Sequence, residues 1–95
     1  MIHVLARVAV EDLNTFLEVF STCEAALRLQ HGSIGSQVFA SPADGKRLTI
    51  LFTWESREAF DGFTADPNVR ATMNSSNVYG PPEFTFLNHV TSLPS

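Results

Sequence analysis

The side chains that could carry out chemistry in this sequence are few and widely separated. It contains three histidines and one cysteine, and no group of Cys and His residues has the spacing of three or four metal ligands. The single Cys23 cannot form an intramolecular disulfide, and its place in a helical pattern favours a small buried apolar residue. We therefore predict neither a metal site nor a disulfide.

His3 and His89 lie near the start of the first predicted strand and the end of the last one. If these strands are antiparallel neighbours, the two rings lie side by side. Paired imidazoles could move protons near neutral pH. A place at a rim or an interface explains the same positions, so both interpretations remain open.

Asn88, Trp54 and Tyr79 are the other candidates for a catalytic role. We expect Asn88 to lie on an otherwise apolar strand face, where a buried amide needs partners. It either ties down the second helix or binds a ligand oxygen. Trp54, at a strand end, could stack on an aromatic ligand or belong to the packing. Tyr79 falls in a predicted Gly-Pro-Pro loop, where its hydroxyl could contact a ligand or face solvent.

These candidates depend on alternating strands and helices for their positions. Apolar residues alternate over residues 2–10, 47–54 and 84–91, and more weakly over 34–40, which predicts four strands. Apolar spacings of three and four residues after Asp12 predict a first helix that ends at Gly32. Ser56 is expected to cap a second helix, which Asp66 and Pro67 restart.

The order of elements predicts one ferredoxin-like α+β domain over residues 1–95, with a βαββαβ arrangement. The expected sheet order is 4-1-3-2, with both helices on one face. Burying each large apolar side chain on the other face is worth about 2 kcal/mol, and such a patch typically marks an interface. We therefore predict a homodimer whose sheets pack back to back through Leu5, Phe39, Leu51 and Leu87.

Composition narrows the possible partners. The formal net charge is −4 and 17% of residues are charged, against about 25% in ordinary soluble chains. An acidic chain argues against nucleic acid, and an RNA-binding sheet would need more exposed aromatics than Phe39. No apolar run approaches the roughly 18 residues of a membrane span, and the N-terminus lacks the pattern of a signal peptide. We expect a cytoplasmic protein without a membrane partner.

One stretch of the sequence resembles a known family. Residues 54–60 read WESREAF, and Asp66-Pro67-Asn68-Val69 follows shortly after. This block is similar to the W-x-S-x-E-A-F and S-P-H-V block of antibiotic biosynthesis monooxygenase (ABM) domains, which belong to the dimeric α+β-barrel superfamily. The resemblance extends over the whole chain, although the central block alone is distinctive.

The resemblance implies a small cavity between sheet and helices in each subunit. Some members of the family oxidise polycyclic aromatic phenols there without metal or flavin, because the bound phenolate itself supplies electrons to O₂. Asn88, Trp54 and Tyr79 would be the catalytic residues of such an enzyme, and no cofactor is expected. The residues expected to contact a flat apolar substrate, unless they are simply core, are Phe16, Phe20, Phe60, Phe63, Met73 and Phe84.

Departures from the family leave alternatives open. Haem-degrading relatives carry Asn, Trp and His at positions that fall on Ala6, Phe63 and Met73, so haem degradation is disfavoured. Many members also have a His where this chain has Phe63 or Asn68, which leaves its acid–base chemistry in doubt. A non-catalytic ligand-binding or interaction dimer of the same fold is therefore the alternative to a cofactor-independent oxygenase of small phenolic or quinoid compounds.

Overall fold

A computed structural model describes residues 1–74 and 78–95. Along the chain, the strands and helices are β1 (Ile2–Val10), α1 (Leu13–Ser21), α2 (Cys23–His31), β2 (Ser33–Ala40), β3 (Arg47–Trp54), α3 (Arg57–Ala65), α4 (Pro67–Asn74) and β4 (Val78–Leu87). The four strands form one antiparallel sheet in the order β2-β3-β1-β4. This confirms the predicted ferredoxin-like α+β fold and its strand order.

The core forms where the helices cover one face of the sheet. Alternate residues of β1 and β3 point to this face, and Val4 opposite Phe52 and Ala6 opposite Ile50 are buried pairs. Trp54 at the end of β3 is fully buried. Its ring centroid lies 5.5 Å from that of Phe60 on α3.

Three predicted helix boundaries are confirmed by their capping geometry. The Asp12 carboxylate accepts a hydrogen bond from the Thr15 backbone N–H at 3.0 Å, and the Ser56 hydroxyl accepts one from the Ala59 N–H at 3.1 Å. Gly32 ends α2 with a φ of 99°. This left-handed conformation favours glycine because it has no Cβ.

The long first helix predicted from the sequence is in fact two helices, broken at Thr22. The backbone of Thr22 has φ −116° and ψ −90°, far from helical values. The Ser21 and Thr22 hydroxyls donate to the carbonyls of Leu17 at 2.7 Å and Glu18 at 2.6 Å. Such local side-chain bonds compete with the helical ladder. Cys23, the first residue of α2, is exposed rather than buried as predicted.

β4 begins earlier and ends earlier than predicted. Glu83 pairs with Arg7 and Tyr79 pairs with Ala9, so Gly80, Pro81 and Pro82 together lie opposite a single residue of β1. Gly80 has a φ of 65°, which permits this bulge. The segment predicted as a Gly-Pro-Pro loop is therefore part of a strand.

The two halves of the helical layer are joined by a polar contact. His31 at the end of α2 donates from Nε2 to Asp66 Oδ2 at 2.8 Å. Asp66 lies between α3 and α4, and its other carboxylate oxygen accepts a hydrogen bond from the Asn68 backbone N–H at 2.8 Å. Asp66 thus caps α4 and holds α2 against it. Within the described residues, no helix is long and apolar enough to cross a membrane.

We expect this contact to make stability depend on acid pH. The hydrogen bond from His31, followed by that from the Asn68 backbone, lowers the pKa of Asp66 below its ordinary value of 3.8. The ionised Asp66 carboxylate therefore contributes its full stabilisation when the pH is above this ordinary pKa. The contribution is lost as the pH falls through the lowered pKa of the folded state. Asp66→Asn should lose this dependence, as measured by urea unfolding from pH 2 to pH 6 with the exposed Asp61→Asn as control.

Candidate functional site

A cavity of about 50 Å³ lies between the sheet and the helices. Its floor includes Ala6 from the centre of β1 and Ile50 from β3, and its walls come from all four helices and from β4. On the β4 side, Phe84 retains 38% of its surface exposed. The partly exposed β4 wall therefore marks where a ligand would gain access.

The structure places every residue predicted to contact a substrate on the wall of this cavity. Whether they bind a ligand stays a prediction, but their convergence on one space follows from the fold. Two come from α1, two from α3, one from α4 and one from β4: Phe16, Phe20, Phe60, Phe63, Met73 and Phe84.

Contacts between aromatic rings organise these walls. The rings of Phe16 and Phe20 stack with centroids 5.2 Å apart, one helical turn from each other. Across the cavity, Phe60 meets Phe84 edge to face, also at 5.2 Å. Offset stacking and edge-to-face contacts are the favourable geometries for such rings, so the aromatic walls are mutually supported.

Two charged side chains interrupt this apolar surface. Glu24 and Arg28 on α2 line the cavity and are only 6% and 7% exposed. Thr64 adds a third polar side chain to the lining. Because charged residues are rarely buried to this degree, the Glu24–Arg28 pair is the most unusual chemical feature of the cavity.

Arg28 is held in place by Phe20. Its Nη2 donates to the Phe20 carbonyl oxygen at 2.9 Å, and its guanidinium carbon lies 3.8 Å from the centroid of the Phe20 ring. The carbonyl belongs to the last turn of α1, where carbonyl groups lack an intrahelical partner. Arg28 therefore satisfies the end of α1 and makes a cation–π contact with its last phenylalanine.

Glu24 is less well satisfied. Its Oε2 is buried and has no hydrogen-bond partner in the described part of the chain. Burial raises the pKa of the Glu24 carboxyl, and the positive charge of Arg28 opposes this rise. Burial also lowers the pKa of Arg28, with Glu24 acting in the opposite direction. The two charges thus compensate each other without forming a direct ion pair within 4 Å.

Sequence reasoning missed Glu24 as a site residue. The sequence did contain a pattern that points to Glu24. Four residues follow one another at four-residue intervals: Phe16, Phe20, Glu24 and Arg28. In the single helix predicted from the sequence, residues four apart lie on the same side. Two charged residues that continue a buried aromatic stripe indicate a polar end to an apolar site.

The three predicted catalytic residues do not lie on the cavity wall. Trp54 is buried behind Phe60 and Phe63, as a second layer of packing. Tyr79 pairs with Ala9 in β4 and lines a groove on the uncovered face of the sheet. Asn88 is exposed and follows the end of β4, so it is not the buried amide that was predicted. Phe84 and Phe86 contact Phe60 on the helical side, but β4 ends at Leu87, so Asn88 lies beyond the paired strand.

The two histidines predicted to be neighbours do come together. The ring centroids of His3 and His89 are 6.1 Å apart. His3 Nδ1 lies 3.1 Å from the Thr53 hydroxyl, and His89 Nε2 lies 2.8 Å from the Ser92 hydroxyl. Neither histidine is on the cavity wall. Among the described residues, no three His, Cys, Asp or Glu side chains gather closely enough to hold a metal ion.

An antiparallel sheet covered on one face by helices, with an aromatic cavity between the layers, defines a small α+β domain with a candidate ligand site. The sequence profile of the antibiotic biosynthesis monooxygenase family matches residues 1–75. The chain belongs to this family, which confirms the resemblance seen in the sequence.

Solved structures of other proteins share this fold. SnoaB from Streptomyces nogalater, described as a cofactor-independent oxygenase, superposes with a TM-score of 0.79 at 16% identity, covering 99% of this chain and 97% of its own. A proposed antibiotic biosynthesis monooxygenase from Caulobacter crescentus CB15 has a TM-score of 0.76 at 20% identity, with 95% and 90% covered. A similar protein from Deinococcus radiodurans gives 0.71 at 14% identity, with 100% and 98% covered. Comparison with curated protein sequences finds no significant match.

The burial of Glu24 should be visible in the pH dependence of stability. A pKa raised above its ordinary value of 4.5 means that ionising Glu24 opposes folding, so this destabilisation develops as the pH rises from 4.5 through the raised pKa. Glu24→Gln does not titrate. Its free energy of unfolding, relative to the unmodified chain, should therefore increase over this range and then level off.

Urea unfolding at a series of pH values measures this difference. The exposed Glu18→Gln on α1 is the matched control and should show no such rise. A constant difference between Glu24→Gln and the unmodified chain from pH 4 to pH 8 would contradict the assignment of a raised pKa to Glu24.

Proposed function

We propose that this protein is a monooxygenase that oxidises a small phenolic or quinoid compound in the aromatic cavity, with the substrate supplying the electrons. The observation that carries the proposal is the cavity itself, an apolar space walled by phenylalanines in a chain of the ABM family. The similarity to SnoaB, a cofactor-independent oxygenase, supports the choice of reaction.

The reaction we propose balances without an external reductant. Oxidising a ring CH₂ group to C=O provides four electrons and two protons. O₂ accepts them, one oxygen atom entering the product and the other leaving as water. The protein's contribution is to favour the anionic form of the substrate and to exclude bulk water from the reacting carbon.

The size of the cavity constrains how a substrate binds. An engineered apolar cavity of about 150 Å³ is large enough for benzene, whereas this one has about 50 Å³. An aromatic substrate must therefore displace part of the wall. The partly exposed side chains of Phe84 and Met73 form the side that can yield with the least loss of buried contacts.

Apolar side chains at Ala6, Phe63 and Met73 favour this reaction over haem degradation. All three residues line the cavity, at the positions where haem-degrading relatives carry Asn, Trp and His. Met73 thus offers a thioether at the position where those relatives offer an imidazole ligand for haem iron.

Filling the cavity should abolish activity. Ala6→Leu adds three carbon atoms at the cavity floor, where Ala6 is 2% exposed, and overpacking of this kind typically costs about 1–3 kcal/mol of stability. We expect O₂ consumption with anthrone and hydroquinone substrates in chelator-treated buffer to fall at least tenfold. The exposed Ala26→Leu on α2 should retain the original rate.

Thermal unfolding checks that both variants remain folded at the assay temperature. A lost rate in a folded variant then reflects the filled cavity and not an unfolded protein. Wild-type protein that consumes no O₂ across the substrate panel would refute the proposed function. An unchanged rate in folded Ala6→Leu would show that the reaction occurs elsewhere.

The second candidate is a ligand-binding protein without catalytic activity. It is favoured by the absence of histidine from the cavity lining among the described residues, which leaves Glu24 as the one carboxyl group on that lining. In that case, aromatic ligands raise the melting temperature of the protein without O₂ uptake.

We further propose that the uncovered face of the sheet binds a second copy of the chain. Leu5 and Leu51 lie opposite each other in the β1–β3 register, and Phe39 remains 53% exposed. Arg7 and Glu83 are paired across β1 and β4 on the same face. A surface with neighbouring opposite charges is self-complementary under two-fold symmetry, which favours an identical partner.

A charge at the centre of this face should prevent dimer formation. Leu51→Glu would bury an unpaired carboxylate in the interface, which is costly. We expect sedimentation velocity at micromolar concentration to show a dimer for the unmodified chain and a monomer for Leu51→Glu. Leu29→Glu, at an exposed leucine on α2, should remain dimeric. A monomeric unmodified chain would refute the proposed dimer.

A further inference from the structure

The buried pair on α2 gives the cavity a polar end whose purpose the packing does not explain. Glu24 and Arg28 are each more than nine-tenths buried, and both border the aromatic space. Replacing such a pair with apolar residues is often neutral or stabilising. Its presence beside a cavity therefore points to a ligand that interacts with these charges.

The hydrogen-bonding state of the pair indicates what kind of ligand this is. Glu24 lines the cavity, and its Oε2 is buried without a donor in the described part of the chain, so the carboxylate beside the cavity has an unfilled acceptor. Arg28 is anchored by the Phe20 carbonyl and ring, which leaves its positive charge fixed beside the cavity. A neutral group that can donate a hydrogen bond and then carry negative charge complements both.

We propose that Glu24 accepts the hydroxyl proton of a phenol bound in the cavity and that Arg28 stabilises the resulting phenolate. This inference rests on the proposed function and names the two residues that act on the hydroxyl group of its substrate. Aromatic compounds with a weakly acidic hydroxyl should bind, whereas aromatic carboxylates, already anionic, should be repelled by Glu24.

The proton transfer conserves charge within the site. The O–H bond of the phenol breaks, its proton forms a new O–H bond on the Glu24 carboxylate, and the electron pair remains on the phenolate oxygen. Negative charge thus moves from Glu24 to the ligand while Arg28 stays positive. Since the cavity lining of the described residues contains no titratable group besides these two, no proton is released to solvent.

4-Nitrophenol is a suitable probe because its phenolate absorbs visible light and its binding requires no O₂. The experiment uses a pH below the ionisation midpoint of the free probe, within the range where the stability comparison of Glu24→Gln shows Glu24 to be ionised. Absorbance then reports the ionisation of the bound probe. Calorimetry in two buffers of different ionisation enthalpy reports how many protons are released on binding.

For the unmodified chain, we expect a bound phenolate with almost no proton release. In Glu24→Gln, Arg28 still favours the phenolate, but the proton must pass to the buffer. One proton should then be released per probe bound, and affinity should fall about tenfold for each unit decrease in pH. Glu18→Gln should behave like the unmodified chain, and nitrobenzene, which has no hydroxyl, should bind equally to all three.

A second variant tests the role of Arg28 without relying on Glu24→Gln. In Arg28→Leu, the bound probe should keep the spectrum of the neutral phenol. Glu24→Asp retains a carboxylate one methylene shorter and should restore binding without proton release.

The inference is overturned if the bound probe stays neutral in the unmodified chain, or if that chain releases one proton as Glu24→Gln does. Absence of probe binding would also overturn it. Phenolate formation in a protein that consumes no O₂ would instead leave this inference standing and refute the oxygenase, so the two failures are distinguishable.

Discussion

The packing of Trp54 against Phe60 and Phe63 determines how the helical layer sits on the sheet. Trp54 ends β3 and is fully buried, with ring centroids 5.5 Å and 5.0 Å from the two phenylalanines. Since these partners are three residues apart on α3, they share one face and define the rotation of that helix. Both also line the cavity. The contact that attaches α3 to the sheet therefore also shapes the space in which we place the chemistry.

The polar end of the cavity depends in turn on the interruption of the first helix at Thr22. Because α1 stops at Ser21, the carbonyl of Phe20 is available to accept the Arg28 guanidinium. This bond lets Arg28 remain charged in an apolar setting, and Arg28 in turn offsets part of the cost of burying Glu24. A local break in secondary structure is thus the condition for a buried charge pair. A site that lowers stability in this way is typical of functional regions.

Hydrophobic periodicity predicted the architecture and the aromatic walls but not the groups that act on a ligand. Alternation over β1 and β3 and the caps at Asp12 and Ser56 are local signals, and the structure confirms them. Asn88 and Tyr79 were misplaced because β4 spans Val78–Leu87, and this depends on the pairing of β4 with β1. Glu24 was missed because burial of a charge depends on tertiary contacts, although its four-residue spacing from Phe20 was visible in the sequence.

The bulge in β4 has a consequence for how the molecule behaves at high concentration. β4 is an edge strand, and the exposed backbone of such a strand can recruit strands from other molecules into mixed sheets. Pro81 and Pro82 have no amide hydrogen to offer an incoming strand, and the irregular backbone around Gly80 disrupts a straight edge. This border of the sheet is therefore protected against uncontrolled strand addition, which helps to keep a small, weakly charged protein from forming aggregates.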